Sequence, residues 1–314
     1  MELVLFSGNS NQGLAQKISS YLDIPLGQAL VSKFSDGETR VELHDNVRGR
    51  DVFIIQSTCA PTNQNIMEAV IMADACRRAS AGRVTLVVPY YGYGRQERKS
   101  APRTPITAKL VADLIEASGV ERVLTMELHT AAIQGFFNIP VDHLYAKPVF
   151  VPYFQNRAGF GSDELMVVSP DAGGVERARG MAKVLQAPMA IADKRRDRPN
   201  ESAVMNIIGS VEGKNCLLID DMCDTAGSLT KTANALFAEG AKGVYAAISH
   251  PVFSGPAIER IQESKINEII CTDSIPLSSA ARACGKIKIA SIGVLLGKAI
   301  RRIHQSESVS SLFL

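Results

Sequence analysis

The stretch LLIDDMCDTAGS, residues 217–228, decides the fold. Three aliphatic residues, Leu217, Leu218 and Ile219, continue the apolar Cys216 and run directly into the carboxylates Asp220, Asp221 and Asp224. A loop of small and hydroxyl residues follows, Thr225, Ala226, Gly227 and Ser228, and then a segment of helical period, TKTANALFAEG. A short apolar run that ends in a turn and feeds a helix reads as a buried parallel strand at its carboxyl end. Like charges repel, so the acids need counterparts other than the core. In open parallel sheets ligands bind just beyond the carboxyl ends of the strands. Hydroxyls, small side chains and helix-start amides make an anion cradle suited to a phosphate. The carboxylates beside it cannot bind that phosphate, but they can accept from the hydroxyls of a sugar or hold hydrated Mg²⁺. Together the two halves describe a site for a phosphorylated sugar. The bland alternative is a capped helix after a polar turn. A Walker A loop, GxxxxGK[ST], is absent from the stretch.

The same strand-then-helix order runs outward through the chain. LVLF precedes LAQKISSYL, VFIIQ precedes NIMEAVIMADACRRA, and VTLVVP is later followed by TAKLVADLIEAS. Strands that are nearly continuous Val, Ile and Leu predict an α/β fold with parallel sheets covered by helices on both faces. The chain has 314 residues, enough for two domains, and is 46% hydrophobic and 21% charged. A net charge of +2 gives no bulk field for nucleic acid or an acidic membrane. No apolar stretch approaches a membrane span, and MELVLFSGN lacks the basic region of a secretory leader. Six cysteines without CxxC spacing are expected to be reduced and mostly buried, which suits a cytoplasmic location.

The chain also resembles itself. VRGRDVFIIQST (47–58) aligns with VEGKNCLLIDDM (211–222), AGRV (81–84) with AKGV (241–244), and ELVLFSGNS (2–10) with ELMVVSPDA (164–172). An internal duplication is therefore expected, giving two similar Rossmann-like domains, 1–145 and 146–296, with residues 297–314 as a tail packing back on the first. Gln56, Ser57 and Ala60 stand where the second half has Asp220, Asp221 and Asp224. Acids that one copy dispenses with are not there to hold the sheet together, which directs them to function.

LLIDDMCDTAGSL resembles the fingerprint of proteins that bind phosphoribosyl pyrophosphate. With FSDGE (34–38), the run 54–99, LH at 128–129, IQGFF (133–137), SPDAGGVERAR (169–179), DKRRDRPN (193–200) and AISHPVFSG (247–255), the chain resembles class I ribose-phosphate pyrophosphokinases over essentially its whole length. That resemblance implies two phosphoribosyltransferase-like domains. It also implies Mg²⁺-dependent transfer of the pyrophosphoryl group of ATP to ribose 5-phosphate, for nucleotide biosynthesis. Lys194 and Arg196 are implied as catalytic, in a basic loop where Asp197 replaces the proline of many relatives. Phe34, Asp36, Gly37, Glu38, Arg95 and Gln96 are implied for ATP, and His129 and Asp171 for the metal. Arg196, Asp220, Asp221, Asp224, Thr225, Ala226, Gly227 and Ser228 are implied for ribose 5-phosphate. The FSDGE loop of such proteins reaches a neighbouring subunit, implying a homo-oligomer, usually a hexamer. Ser308 and Ser310, with Arg48, are candidates for regulation by phosphate and ADP. His44, His143, His250 and His304 are expected to be structural. Rival readings are a phosphoribosyltransferase, which shares the fingerprint but needs one such domain, and a catalytically silent subunit that regulates a true synthetase.

Overall fold

A computed structural model describes residues 1–155, 157–195 and 204–312, with the backbone alone at 194–195 and 204–205. Lys194 therefore lies on a described strand without a described side chain, and Arg196 and Asp197 lie outside the described residues. The chain divides into two compact units. One comprises Met1–Tyr145, Ser274–Pro276 and Ser291–Leu314; the other comprises Ala146–Asp273 and Leu277–Ala290.

In the first unit the strands are β1 (Leu3–Ser7), β2 (Ala29–Lys33), β3 (Thr39–Leu43), β4 (Asp51–Ile55), β5 (Arg83–Val88), β6 (Arg122–Met126) and β7 (Val141–Leu144). β1, β4, β5, β6 and β7 lie side by side in that order, all parallel. β2 and β3 form a separate antiparallel hairpin. All five residues of β4 are buried, as a strand covered on both faces requires. Helices Gln12–Leu22, Thr62–Arg78 and Thr107–Ala117 carry the covering side chains, among them Ile18, Met72 and Ile115. Each such side chain contributes about 1.5–3 kcal/mol when taken out of water.

The second unit contains β8 (Leu165–Ser169), β9 (Met189–Arg195), β10 (Val204–Ile208), β11 (Asn215–Cys223), β12 (Gly243–Pro251), β13 (Glu268–Thr272) and β14 (Ile287–Ala290). β8, β11, β12, β13 and β14 repeat the order and direction of β1, β4, β5, β6 and β7. Here the hairpin β9–β10 joins the sheet edge beside β8, and its antiparallel pair makes the sheet mixed. The repeat extends to single turns. Gly49 and Gly213, paired in the sequence alignment, both have φ 68°, and each donates its N–H to the end of the following helix, at Ser80 (2.8 Å) and Gly240 (2.9 Å). The left-handed backbone explains glycine at both places.

The C-terminal helix Gly293–His304 belongs to the first unit. Its Gly297 lies so close to helix Gln12–Leu22 that a Cβ there would sit 2.4 Å from the ring of Tyr21. Arg83 forks onto the buried Asp51 with bonds of 2.8 and 2.5 Å and also donates to the Ile303 carbonyl at 3.1 Å. The His304 ring lies 2.7 Å from the same carboxylate. One carboxylate at the start of β4 thus ties down the last helix.

Candidate functional site

The second unit brings four of the predicted acids to neighbouring strand ends. β8 stops at Ser169, and Asp171 opens the turn to helix Val175–Leu185, its Oδ1 accepting the Gly174 N–H at 2.9 Å while the Ser169 hydroxyl donates to its carbonyl at 2.6 Å. β11 runs through the acid pair and ends at Cys223, because its pairing with β12 continues past the carboxylates to Met222 and Cys223. Asp220 and Asp221 therefore sit on rigid backbone rather than in a loop. The Asp221 N–H donates to Asp220 Oδ1 at 2.9 Å.

Arg177, in the first turn of helix Val175–Leu185, faces this pair: its Nη1 lies 3.8 Å from Asp221 Oδ1 and 4.0 Å from Asp220 Oδ1. Burial pushes the Asp220 carboxyl well above the usual carboxylate range, the charge of Asp221 adds to the rise, Arg177 opposes it, and Asp171 adds further negative field. At about 4 Å and an effective dielectric constant near 20, one charge pair is worth about 4 kcal/mol. Arg177 thus offsets only part of what burial and the neighbouring carboxylates impose on Asp220. Carboxylates on inflexible backbone suit a cation or the hydroxyls of a sugar. Cys223, which ends the strand, is not set up as a nucleophile, since burial lifts its thiol to about 12.

The loop after β11 has the features of an anion cradle. Ala226 precedes helix Gly227–Ala238 in the left-handed region at φ 59° and has no side-chain oxygen to cap the first helical amides. Thr225 and Ser228 are exposed on either side of it. Asp224 is turned to the next loop: the Ser254 N–H donates to its carbonyl at 3.0 Å and the Ser254 hydroxyl to its carboxylate. Arg260, from helix Ala257–Glu263, donates to the Thr225 carbonyl at 3.0 Å.

In the first unit, Phe34, Asp36, Gly37 and Glu38 form the exposed tip of the β2–β3 hairpin. The Glu38 N–H donates to Asp36 Oδ1 at 3.1 Å, Gly37 supplies φ 95°, and Phe34 is 51% exposed with the Arg40 guanidinium 5.8 Å from its ring. Arg95 and Gln96 are exposed after β5, and Gln96 Oε1 accepts the Thr107 hydroxyl at 2.6 Å. His129 follows β6 by three residues, half-buried. Its segment is held by the buried His143, whose Nε2 accepts the Leu128 N–H at 2.9 Å, while Glu127 adopts φ 42°. Such strain, of order 1–3 kcal/mol, persists where surrounding structure enforces it, often at functional sites. Among the described residues no three His, Cys, Asp or Glu side chains form a metal-holding group. Mg²⁺ typically takes one or two carboxylates with waters and substrate phosphates, and Asp171 offers the hard oxygen donors that it prefers.

Sequence reasoning did not single out Arg177, Arg260, Ser254 or the support given by His143. Arg177 stands inside the SPDAGGVERAR motif, three residues past the second of its glycines, where a helix start would aim it at the neighbouring strand end. Arg260 has no local signal, since its partner is 35 residues away.

The model for the N-terminal domain of ribose phosphate pyrophosphokinase matches residues 3–119, and that for the phosphoribosyl synthetase-associated domain matches residues 165–314. A ribose-phosphate pyrophosphokinase of Oceanobacillus iheyensis is 55% identical over 311 residues, covering 99% of this chain and 97% of its own length. One from Bordetella pertussis is 54% identical, with 99% of each chain covered. The crystal structure of phosphoribosylpyrophosphate synthetase from Mycobacterium smegmatis superposes with a TM-score of 0.92 at 37% identity, covering 98% of this chain and 100% of that one.

Proposed function

Because the chain belongs to the ribose-phosphate pyrophosphokinase family, we propose that its two units share out the reaction of that family. The enzyme transfers the pyrophosphoryl group of ATP to the anomeric hydroxyl of ribose 5-phosphate, giving 5-phosphoribosyl 1-pyrophosphate and AMP. The second unit takes ribose 5-phosphate. Its phosphate enters the loop Thr225, Ala226, Gly227 and Ser228, and its ring hydroxyls donate to Asp220 and Asp221, with Asp224 bordering the loop. The observation that carries this reading is the end of β11, where rigid carboxylates and an uncapped small-residue loop stand side by side.

Residues of the first unit take the nucleotide. Phe34 offers a stacking face, Asp36 and Glu38 acceptors for the adenine amino group, and Arg95 and Gln96 contacts to the phosphates and the base or ribose. His129 in the first unit and Asp171 in the second are each taken as metal residues, and Mg²⁺ would neutralise phosphate charge and orient the polyphosphate. Lys194 acts as a point charge on the transferring group and Arg196 as a fork on the phosphates, since phosphoryl transfer is catalysed mainly by positioning and electrostatic stabilisation. The hairpin tip serves a neighbouring copy in a homohexamer, phosphate and ADP regulate the assembly, and the enzyme works in the cytoplasm; among the described residues no helix is long and apolar enough to cross a membrane. A phosphoribosyltransferase reading is not favoured, because relatives named as pyrophosphokinases match 99% of the chain.

Phosphorus NMR of the purified chain with Mg-ATP and ribose 5-phosphate, with and without inorganic phosphate, tests the reading. AMP and a pyrophosphorylated ribose should appear together, and formation of ADP or absence of turnover in both conditions would refute it. Lys194→Ala should keep the fold and lose about 100- to 1,000-fold in kcat, by analogy with a lost transition-state donor.

A further inference from the structure

We propose that Arg260 is the specificity-determining cation of the ribose 5-phosphate site, binding the 5-phosphate at the Thr225–Ser228 loop and so making unphosphorylated ribose a poor substrate. The inference rests on the reading of the second unit given above.

A phosphate entering this loop meets the carboxylate of Asp224 at its edge, so loop amides and hydroxyls must work against a repulsive neighbour. A cation built into the loop removes that conflict, and Arg260 is already there. Its Nη1 donates to the Thr225 carbonyl at 3.0 Å, within the turn that leads to the helix start. A guanidinium has five N–H donors, and this bond uses one. Among the described residues no carboxylate is paired with Arg260. Like Thr225 and Ser228, it is exposed.

The guanidinium also packs closely on the loop. A Cβ on residue 227 would lie 3.2 Å from Arg260 Nη1, a tight contact that glycine avoids. The chain leading to Arg260 is tied to the same loop, with the Phe253 N–H donating to the Cys223 carbonyl at 2.9 Å and the Ser254 N–H to the Asp224 carbonyl at 3.0 Å. An Arg held in this way needs little further ordering to form a charge-assisted fork on a phosphate. A site built around a charged group rejects the analogue lacking it, because the site's own polar atoms are then left unpaired.

The test compares the full chain with Arg260→Ala and Arg260→Lys in steady-state assays with ribose 5-phosphate, ribose and ATP. Arg260→Ala should raise KM for ribose 5-phosphate by about tenfold or more, while kcat and KM for ATP stay within about twofold. The preference for ribose 5-phosphate over ribose, as a ratio of kcat/KM values, should fall by the same factor, and Arg260→Lys should recover part of it. A drop in kcat for both sugars with the ratio unchanged would mean that Arg260 only props the loop, and would overturn the inference; so would an unchanged KM. If the alanine variant fails to fold, the lysine variant decides by the same ratio. Calorimetric titration with ribose 5-phosphate separates the two levels. A wild-type chain that binds none refutes the ribose-phosphate reading itself, whereas equal binding by wild type and variants overturns only the role of Arg260.

Discussion

Asp220 shows how a residue that weakens the fold can serve the site. Burial and the neighbouring Asp221 raise its pKa, so the folded chain holds a proton that the unfolded chain releases. Stability in the absence of ligand therefore falls as pH rises from the ordinary carboxylate range to the raised folded value. Asp220→Asn removes that penalty. In substrate-free protein with a chelator, its melting temperature should exceed wild type at about pH 8, and the gain should fade toward about pH 3, below the ordinary carboxylate pKa, where both states are mostly protonated. The same variant should lose most of its affinity for ribose 5-phosphate, measured by calorimetry. A variant that is both less stable at about pH 8 and unimpaired in binding would contradict this account. The acids themselves were legible in the sequence, as charge at the end of an apolar run. Arg177 was not, because a residue 43 positions from its carboxylate partner reaches it only when β8 and β11 pair and the helix after β8 packs over them.

Among elements, the register of the repeat follows from local chemistry. Gly49 and Gly213 adopt the same left-handed turn because both precede a strand that must start beside the end of its own crossover helix. The hairpins after β1 and β8 part company, since β9–β10 extends a sheet whereas β2–β3 stands alone. That choice depends on edge pairing of β9 with β8 across the intervening helix, so the run of side chains in each hairpin does not reveal it. Gly297 marks another tertiary demand. It sits in mid-helix, where glycine costs about 1 kcal/mol relative to alanine, and the ring of Tyr21 explains why it stands there. Gly297→Ala should therefore destabilise the chain by about 1–3 kcal/mol despite better helix propensity, as overpacked contacts do. Chemical denaturation measures this, and a stabilised variant would show that the two helices can separate at no cost.

For the whole molecule, the proposal that the exposed hairpin tip, with Phe34 and the carboxylates beside it, serves the active site of a neighbouring copy predicts complementation between subunits. Glu38→Ala and Lys194→Ala chains should each be nearly inactive alone, and mixed oligomers refolded from both should regain activity, because some sites then carry neither lesion. Native mass and turnover of the mixture check this, and a mixture no more active than its components would place the hairpin's role within its own chain. Apolar strand runs, helical periods, the repeat and the acid-then-hydroxyl stretch were fixed by the sequence alone, since each depends on neighbours within a few residues and on the two periods of backbone geometry. Only the tertiary structure decided that Asp51 holds Arg83 and His304 together and that Arg177 and Arg260 bracket the site. Those contacts join residues 32 to 253 positions apart. Their energy exists only after strands have paired and helices have packed, so no local pattern announces them.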